Sequence, residues 1–428
     1  MKRMNIAIIG LGNIGSYLFK YLNDNKKILK EKNNCLPIVK YVSAKNKKRK
    51  RTINIKKKQW LNNYLDATKL DDVDLIIELI GGAEGPAKKL VFEALKNKKH
   101  VVTANKALIA KYGDQLSKIA EIKKVNLEFE ASVCGGVPII RALKEGLIAN
   151  KISKIYGIFN GTSNYILSSM DKQNKTFNEV LKNAKDLGYA ESNPSTDLNG
   201  DDVSSKLKIL SSLCFNSFLN NNVYVEGIKD IDKNDIDNAN KFGYKIKLLG
   251  YAELLNKKIY QRVHPTLLKK NSYVAGIDGV LNAVIVDGKP IGQSIIQGEG
   301  AGPAATTSAL VSDISSILRG NIKFPFSISN KERKKLKFDP IDQRLFSAYL
   351  RFEVIDKPGV LSNITNIFSK NKISIKRLIQ NPDKNKKSSS IIIITHKSKD
   401  VYLKKTIKEV ARKNYMKRNP KLIRIDDN

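Results

Sequence analysis

The stretch NIAIIGLGNIGSYLFKYL (5–22) decides the fold. Asn5 to Ile9 is a short apolar run of the kind buried on both faces of a parallel sheet. Gly10, Gly12 and Gly15 follow as G-x-G-x-x-G, and Ser16 to Leu22 reads as a helix. Gly10 permits a tight turn, Gly12 lets backbone approach a pyrophosphate, and Gly15 lets the helix pack closely on the strand. The helix N-terminus presents free N–H groups to phosphate. Leu11, Asn13 and Ile14 complete the turn and share the expected dinucleotide site.

Strands expected at Pro37–Ser43, Val73–Leu79, His100–Thr103 and Val125–Glu130 continue outward, with an amphipathic helix at Ala87–Lys96. That alternation implies a parallel sheet whose ligand crevice lies at the carboxyl ends of the strands. VVTANKALIA (101–110) places Thr103 at such an end and Asn105 and Lys106 just past it. The strand ending at Ser43 runs into the basic cluster KNKKRKR (45–51). An acidic group there would bind the ribose of NAD, whereas Lys45 and its neighbours would attract a 2′-phosphate. NADPH is therefore the expected cofactor, with NADH possible, although a lysine-rich chain would place such a cluster there anyway.

The 428 residues carry 77 Lys plus Arg against 41 Asp plus Glu, a net charge of +36, with 41% hydrophobic residues. That length and apolar share favour two or three domains with real cores and exclude a disordered or collagen-like chain. The lysines are spread along the chain without any helix-turn-helix, zinc-finger or RNP pattern, so no nucleic-acid partner is expected. No apolar run reaches the ~20 residues that span a bilayer. Glycines interrupt the only signal-like stretch, at the N-terminus, so no membrane association and a cytoplasmic location are expected. Cys35, Cys134 and Cys214 are far apart, and none neighbours a histidine as a zinc ligand would.

Beyond Glu130 the pattern changes. EASVCGGVPIIRAL (130–143) is a turn leading into a helix, and KISKIYGIFNG (151–161) is strand-like. In GYAESNPSTDLNGDDVSSKLKIL (188–210) a polar loop presents Glu191, Asp197 and Asp201, and a helix begins near Asp202. Val203, Leu207, Leu210 and Cys214 form one face of it. Asp202 and Lys206 are four apart, with Lys206 roughly 60° from the apolar stripe. A lysine partly desolvated beside carboxylates is how a proton-transfer group is built. The same spacing also describes an ordinary surface ion pair of little worth, and spacing alone does not choose.

GEGAGPAATTSALVSDI (298–314) is a glycine-rich turn entering an apolar helix, suited to a second cofactor wall. His264, before a proline, reads as structural. Residues 325–345 are basic and polar, as in a linker. Ala348–Val354 is a strand, 356–371 a turn and helix, Ile373–Ile379 a strand, and 382–390 a loop before SIIIITH and a final basic helix. The order βαββα fits a ferredoxin-like half-module.

GLGNIG (10–15), GGAEGPA (81–87), VVTANKALIA, EASVCGGVPII (130–140), GIFNGTSNYIL (157–167) and GYAESNPSTDLNGDDVSSK (188–206) together resemble the homoserine dehydrogenase family over essentially the whole chain. The tail, with IDKPGVL (355–361), resembles an ACT domain, a module that commonly binds amino acids. The monofunctional form, without a preceding kinase, is expected. The resemblance implies an α/β protein with a Rossmann-type dinucleotide-binding domain (1–132) and an α+β catalytic and dimerisation domain (133–322). The last helix of the latter, about 303–320, would pack back on the Rossmann domain. A linker (323–346) and a C-terminal ferredoxin-like ACT domain (347–428) would follow.

The same resemblance implies NAD(P)H-dependent reduction of L-aspartate 4-semialdehyde to L-homoserine, on the way to threonine, methionine and isoleucine. Lys206 would donate the proton to the developing alkoxide, and Lys106 would contact cofactor and substrate. Glu191 would hold the substrate amino group, Asp202 would be a second substrate carboxylate, and Asp197 would belong to the same substrate loop. Gly188 and Gly302 would form turns near the nicotinamide and pyrophosphate. Glu130 with the backbone of Val133, Gly135 and Val137 would hold a structural sodium ion. A homodimer or homotetramer, and threonine as effector at the ACT domain, are further expectations, with loss of 345–428 abolishing inhibition but sparing turnover.

Overall fold

Five strands near the N-terminus, β1 (Arg3–Ile9), β2 (Leu36–Ser43), β3 (Leu75–Glu78), β4 (His100–Thr103) and β5 (Leu127–Glu128), pair in parallel in the order β2-β1-β3-β4-β5. The computed structural model describes residues 2–383 and 387–426, so part of the expected 382–390 loop lies outside the described residues. Ile6 to Ile9 and Leu75 to Ile77 are fully buried, as continuous apolar runs in a two-sided parallel sheet must be. Helices α1 (Asn13–Asp24), α2 (Pro86–Lys96) and α3 (Lys106–Lys123) flank the sheet, α1 starting three residues before the expected Ser16. The expected strand Val125–Glu130 is cut to two paired residues. The Glu130 N–H donates to the buried Asp313 carboxylate (2.9 Å), and a 3₁₀ turn begins there.

Asp313 belongs to α7 (Pro303–Leu318), which returns to the first sheet. Its Leu310, Ile314 and Ile317 share one core with Ile6, Ile8, Leu18 and Leu22.

The second sheet is built from β6 (Lys151–Ile158), β7 (Tyr244–Leu255), β8 (Lys258–Lys269), β9 (Leu281–Lys289), β10 (Gly292–Glu299), β11 (Leu345–Ile355), β12 (Ile375–Asp383), β13 (Ser388–Thr395) and β14 (Lys421–Asp426). These run in the order β10-β9-β6-β7-β8-β14-β11-β13-β12, antiparallel except where β14 meets β8. The β7–β8 hairpin pairs twelve residues with twelve and closes on Asn256 and Lys257, at φ 50° and 60°. Helices α4 (Gly161–Gln173), α5 (Asp201–Cys214) and α6 (Lys233–Lys241) cover one face, with Val203, Leu207 and Ile236 packed among Leu248, Val263 and Leu267. Alternate residues, Tyr251 and Tyr260 among them, face the other side, where α8 (Val360–Lys370) and α9 (Asp400–Ala411) cover Phe352 and Val354.

The C-terminal unit is therefore βαββαβ, and the half-module expected from sequence is corrected by a fourth strand, β14. Lys421–Asp426 is short and basic, and its Arg424 is fully buried. The Arg424 guanidinium is neutralised by Asp400 (2.6 Å) and by Glu226 of the preceding unit (2.8 Å). A second such tie joins Arg351 on β11 to Asp235 (2.8 Å) and Asp232 (2.6 Å) on and before α6.

Residues 323–346, expected as a linker, are packed against the body. Phe326 is fully buried against Phe129, and Arg333 donates to Asp114 (2.6 Å) and to the Ser217 carbonyl (2.8 Å). Tyr349, Ile392, Ile423 and Ile425 belong to the same core as α4, α5 and α6. Removing 345–428 would strip the β8 edge and that core, so the tail is not a dispensable appendage. Among the described residues, no helix is long and apolar enough to cross a membrane.

Candidate active site

At the glycine turn the three glycines carry different loads. A Cβ on Gly10, whose φ is 110°, would lie 2.4 Å from the Leu79 carbonyl oxygen, and one on Gly15 would lie 2.0 Å from the Gly10 carbonyl oxygen. Both positions are closed to any side chain. Gly12 has nothing within 4 Å of its Cβ position, and α1 has no side-chain cap at its N-terminus. Backbone donors there are left to a ligand.

The basic segment after β2 folds back over this turn. Arg51 donates through Nε to the Leu11 carbonyl (3.1 Å), and Arg49 donates to the Asn13 side chain (3.3 Å). Together with Gly12, Lys50 and Pro303 these residues line a cavity of about 330 Å³. Gly302, at φ 107°, leads into Pro303 and α7, which closes the far side. Lys45 is exposed at the strand end and does not line the cavity, where Arg49, Lys50 and Arg51 stand instead.

A buried carboxylate that sequence reading missed organises the crevice edge. Glu78, at the end of β3, accepts the N–H groups of Ile80 (2.8 Å) and Gly81 (2.9 Å) and the Thr103 hydroxyl (2.5 Å). The Thr103 oxygen in turn accepts the Asn105 N–H (3.0 Å), and the Asn105 amide donates to Gly82 (2.8 Å) while its oxygen caps α3 at Leu108 (3.1 Å). The Thr103 side chain thus sets the turn that delivers Lys106, the first residue of α3.

Lys106 meets α5 at Asp202. Its Nζ lies 2.9 Å from Asp202 Oδ1, and Lys206 Nζ lies 2.7 Å from Oδ2. Lys206 also donates to the Phe159 carbonyl (2.6 Å). Asn160, unanticipated from sequence, donates to both Asp202 (2.9 Å) and Asp197 (2.7 Å) while its oxygen caps α4 at Ser163 (2.7 Å).

The surface-pair alternative is ruled out by burial, since Asp202 is 5% and Lys206 8% exposed. Burial opposes the Asp202 charge, but Lys206 and Lys106 overcome it and hold the carboxyl well below its usual range. Burial likewise opposes the Lys206 charge, but attraction to Asp202 outweighs it and the ammonium pKa is raised. Burial, then repulsion from Asp202, pushes Asp197 up. Glu191 is exposed on the loop after Gly188, which has φ 74°, and among the described residues neither is hydrogen-bonded or ion-paired to the cluster. That loop is tied to α4 by the Thr162 hydroxyl donating to the Tyr189 carbonyl (2.7 Å).

Glu130 is buried, and its oxygens accept the N–H groups of Ile140 (2.9 Å) and Arg141 (2.6 Å). Burial pushes it up to about 7. The following turn has positive φ at Cys134 (56°) and Gly135 (50°), and the Val137 carbonyl accepts the Ile139 N–H (2.7 Å). No group of three or more His, Cys, Asp or Glu side chains able to hold a metal occurs among the described residues.

An open glycine turn and a lysine–carboxylate–lysine cluster on one edge of a parallel sheet define a nicotinamide-dinucleotide oxidoreductase. Comparison with known proteins agrees. The homoserine dehydrogenase NAD-binding family matches residues 10–130, the homoserine dehydrogenase family 138–315, and the ACT domain family 348–412. Homoserine dehydrogenase of Neisseria gonorrhoeae is 36% identical over 433 residues, covering 100% of this chain and 99% of its own. That of Helicobacter pylori is 36% identical over 427 residues, with 100% of both covered. A crystal structure of the Thiobacillus denitrificans enzyme superposes with a TM-score of 0.92 at 35% identity, covering 100% of this chain and 99% of that one. A hyperthermophilic archaeal homoserine dehydrogenase, solved in complex with NADPH, shares the fold alone at 24% identity and a TM-score of 0.62, covering 73% of this chain and 97% of its own. The chain belongs to the homoserine dehydrogenase family.

The glycine geometry separates stability from binding. Gly15→Ala is expected to destabilise the protein by about 2–3 kcal/mol, because a methyl group meets backbone that cannot yield. Gly12→Ala should leave the urea midpoint unchanged and weaken dinucleotide binding at least tenfold. Equal midpoints for the two variants would contradict this assignment.

Proposed function

We propose that the protein reduces L-aspartate 4-semialdehyde to L-homoserine with NADPH, with NADH as the poorer donor, and that Lys206 protonates the developing alkoxide. The observation that carries this reading is the shared carboxylate: Asp202 holds Lys106 and Lys206 at 2.9 and 2.7 Å. The bound nicotinamide supplies hydride to the carbonyl carbon. The carbonyl oxygen then needs a proton, and an ammonium whose pKa is raised stays charged through neutral pH to give it. Lys106, with about half of its side chain exposed, orients the substrate and the cofactor phosphate edge. Glu191, on the exposed loop, takes the substrate ammonium as that loop settles on the site, with Asp197 supporting it through Asn160.

Arg49 and Lys50 receive the 2′-phosphate, in place of the Lys45 expected from sequence. Glu130 with the carbonyls of Val133, Gly135 and Val137 suits sodium: one buried carboxylate without an ion-pair partner among the described residues, plus neutral oxygens, fits a hard monovalent cation. There the ion would stiffen the turn and supply no chemistry. The functional units are 1–132, 133–322 and 347–428, with 323–346 between them, and the protein assembles as a homodimer or homotetramer that answers to threonine through its C-terminal unit.

The direct assay is homoserine-dependent reduction of NADP and of NAD, side by side. Turnover with NADP ahead is expected, and Arg49→Ala should raise the KM for NADP about tenfold while leaving that for NAD within twofold. No turnover with either cofactor would refute the function, and equal losses with both would refute the role of Arg49.

The pH profile tests the proton donor. Aldehyde reduction needs Lys206 protonated, so its rate should hold through neutral pH and fall only as pH rises through the raised pKa. In Asp202→Asn the charge that raises it is gone and burial lowers it, so the alkaline limb should move to lower pH. An unmoved limb would contradict the assignment.

A further inference from the structure

Two helices from different sheets carry the lysine–carboxylate cluster. α3 flanks the first sheet and opens with Lys106, while α5 covers the second and opens with Asp201 and Asp202. Lys106 and Asp202, 2.9 Å apart, pin the two helices at their first turns. A single contact fixes a point and leaves the helices free to swing about it. In a site assembled between two units, a misplacement of about 1 Å can lower the rate about a hundredfold.

A second pin stands further along both helices. Asp114 is eight residues past Lys106 and Ser212 is ten past Asp202, so each lies about 12–15 Å along its axis from the first contact. Arg333, from the segment that follows α7, joins them. Its Nη2 donates to Asp114 (2.6 Å), to the Ser212 hydroxyl (2.9 Å) and to the Ser217 carbonyl (2.8 Å). Its Nε donates to the same carbonyl (3.1 Å), and its Nη1 donates to Asn330 (2.9 Å).

This is no surface pair. The Arg333 side chain is 0% exposed, and its guanidinium lies 4.1 Å from the Phe326 ring centre and 4.8 Å from that of Phe218. A Cβ at Gly113, beside Asp114, would lie 2.9 Å from the Phe326 ring and 3.2 Å from Leu219, so α3 is seated directly on this segment. Asn330 ties the segment to α3 alone, donating to Ser117 (2.8 Å) and Glu121 (2.6 Å). Backbone bonds from Phe218 to Lys334 and from Lys334 to Asn216, each 3.0 Å, tie it to the chain after α5. Arg333 is where the two ties meet. Its planar fork serves several acceptors at once, which a lysine would not.

We propose that Arg333 is a positioning residue for the reaction. By holding Asp114 of α3 to Ser212 and Ser217 at the end of α5, it fixes the angle between the helices and so presents Lys106 to Asp202 and the substrate. It acts from the far end of both helices and through Lys106. The kinetic part of this proposal rests on the activity proposed above, and the geometric part does not.

Asp114→Ala tests it from the partly exposed side of the pin, and Arg333→Gln cuts the pin at its centre. In Asp114→Ala, kcat for homoserine oxidation should fall about tenfold while the KM for NADP stays within twofold. The same change made in Lys106→Met should lower kcat by less than twofold, because residues that act through one another are not additive. Arg333→Gln should lose at least as much as Asp114→Ala. Ser117→Ala, which cuts a tie to α3 alone, should turn over as the unaltered protein does.

Reductive methylation of the full chain, read by mass spectrometry, reports the pin without turnover. In Asp114→Ala, Lys106 should be labelled at least threefold faster than in the unaltered protein. Lys111, on the same helix and paired with Glu84 (2.7 Å), should be labelled at the same rate in both. Unchanged kcat in Asp114→Ala, a full tenfold loss in the Lys106→Met background, or unaltered labelling of Lys106 would overturn the proposal. Absence of homoserine turnover in the unaltered protein would refute the activity while leaving the labelling decisive for the pin.

Discussion

A carboxylate buried between two ammonium groups constrains the arrangement of everything near it. Asp202 would be costly alone, since an unpaired buried charge destabilises by several kcal/mol. Lys106 comes from the first sheet, Lys206 from the same helix and Asn160 from the start of α4, so three elements must meet within hydrogen-bond distance of one side chain. Each is fixed by a further contact: Lys106 by the Glu78–Thr103–Asn105 chain, Lys206 by the Phe159 carbonyl, and Asn160 by its cap on α4. The cluster thereby also joins the dinucleotide-binding unit to the substrate unit.

The parallel sheet and the glycine turn were legible because their signals are local. A strand, three glycines and a helix lie in eighteen consecutive residues; backbone contacts close Gly10 and Gly15 to a side chain, while Gly12 faces open space. The Asp202–Lys206 pair was legible only as a spacing. Its distinction from a surface pair lies in Lys106 and Asn160, which are about a hundred and about forty residues away in sequence. Resemblance to a family supplied what spacing could not.

Other features were hidden for physical reasons. The β7–β8 hairpin turns on Asn256–Lys257, where two positive φ values occur without the glycine that usually announces them. β14 goes unannounced in the sequence because an arginine stands within it, and only the placement of Asp400 and Glu226 makes that arginine a core residue. Lys45, two residues past the strand end at Ser43, is the position expected from sequence to meet the phosphate. The chain instead curls back, and Arg49 and Arg51 reach the glycine turn. Because β14 pairs with both β8 and β11, the C-terminal unit extends the substrate unit's own sheet, and any signal from it has a short mechanical route.

The central claim is that Lys206 is the acid, and its replacement by methionine, of similar length and without charge, tests that claim most directly. Asp202 keeps Lys106 as a partner in that variant, so the fold and the NADPH dissociation constant should be preserved. The account predicts a fall in kcat of about a thousandfold, within the range usual for loss of a general acid. Turnover within tenfold of the unaltered protein, with NADPH still bound, would contradict it.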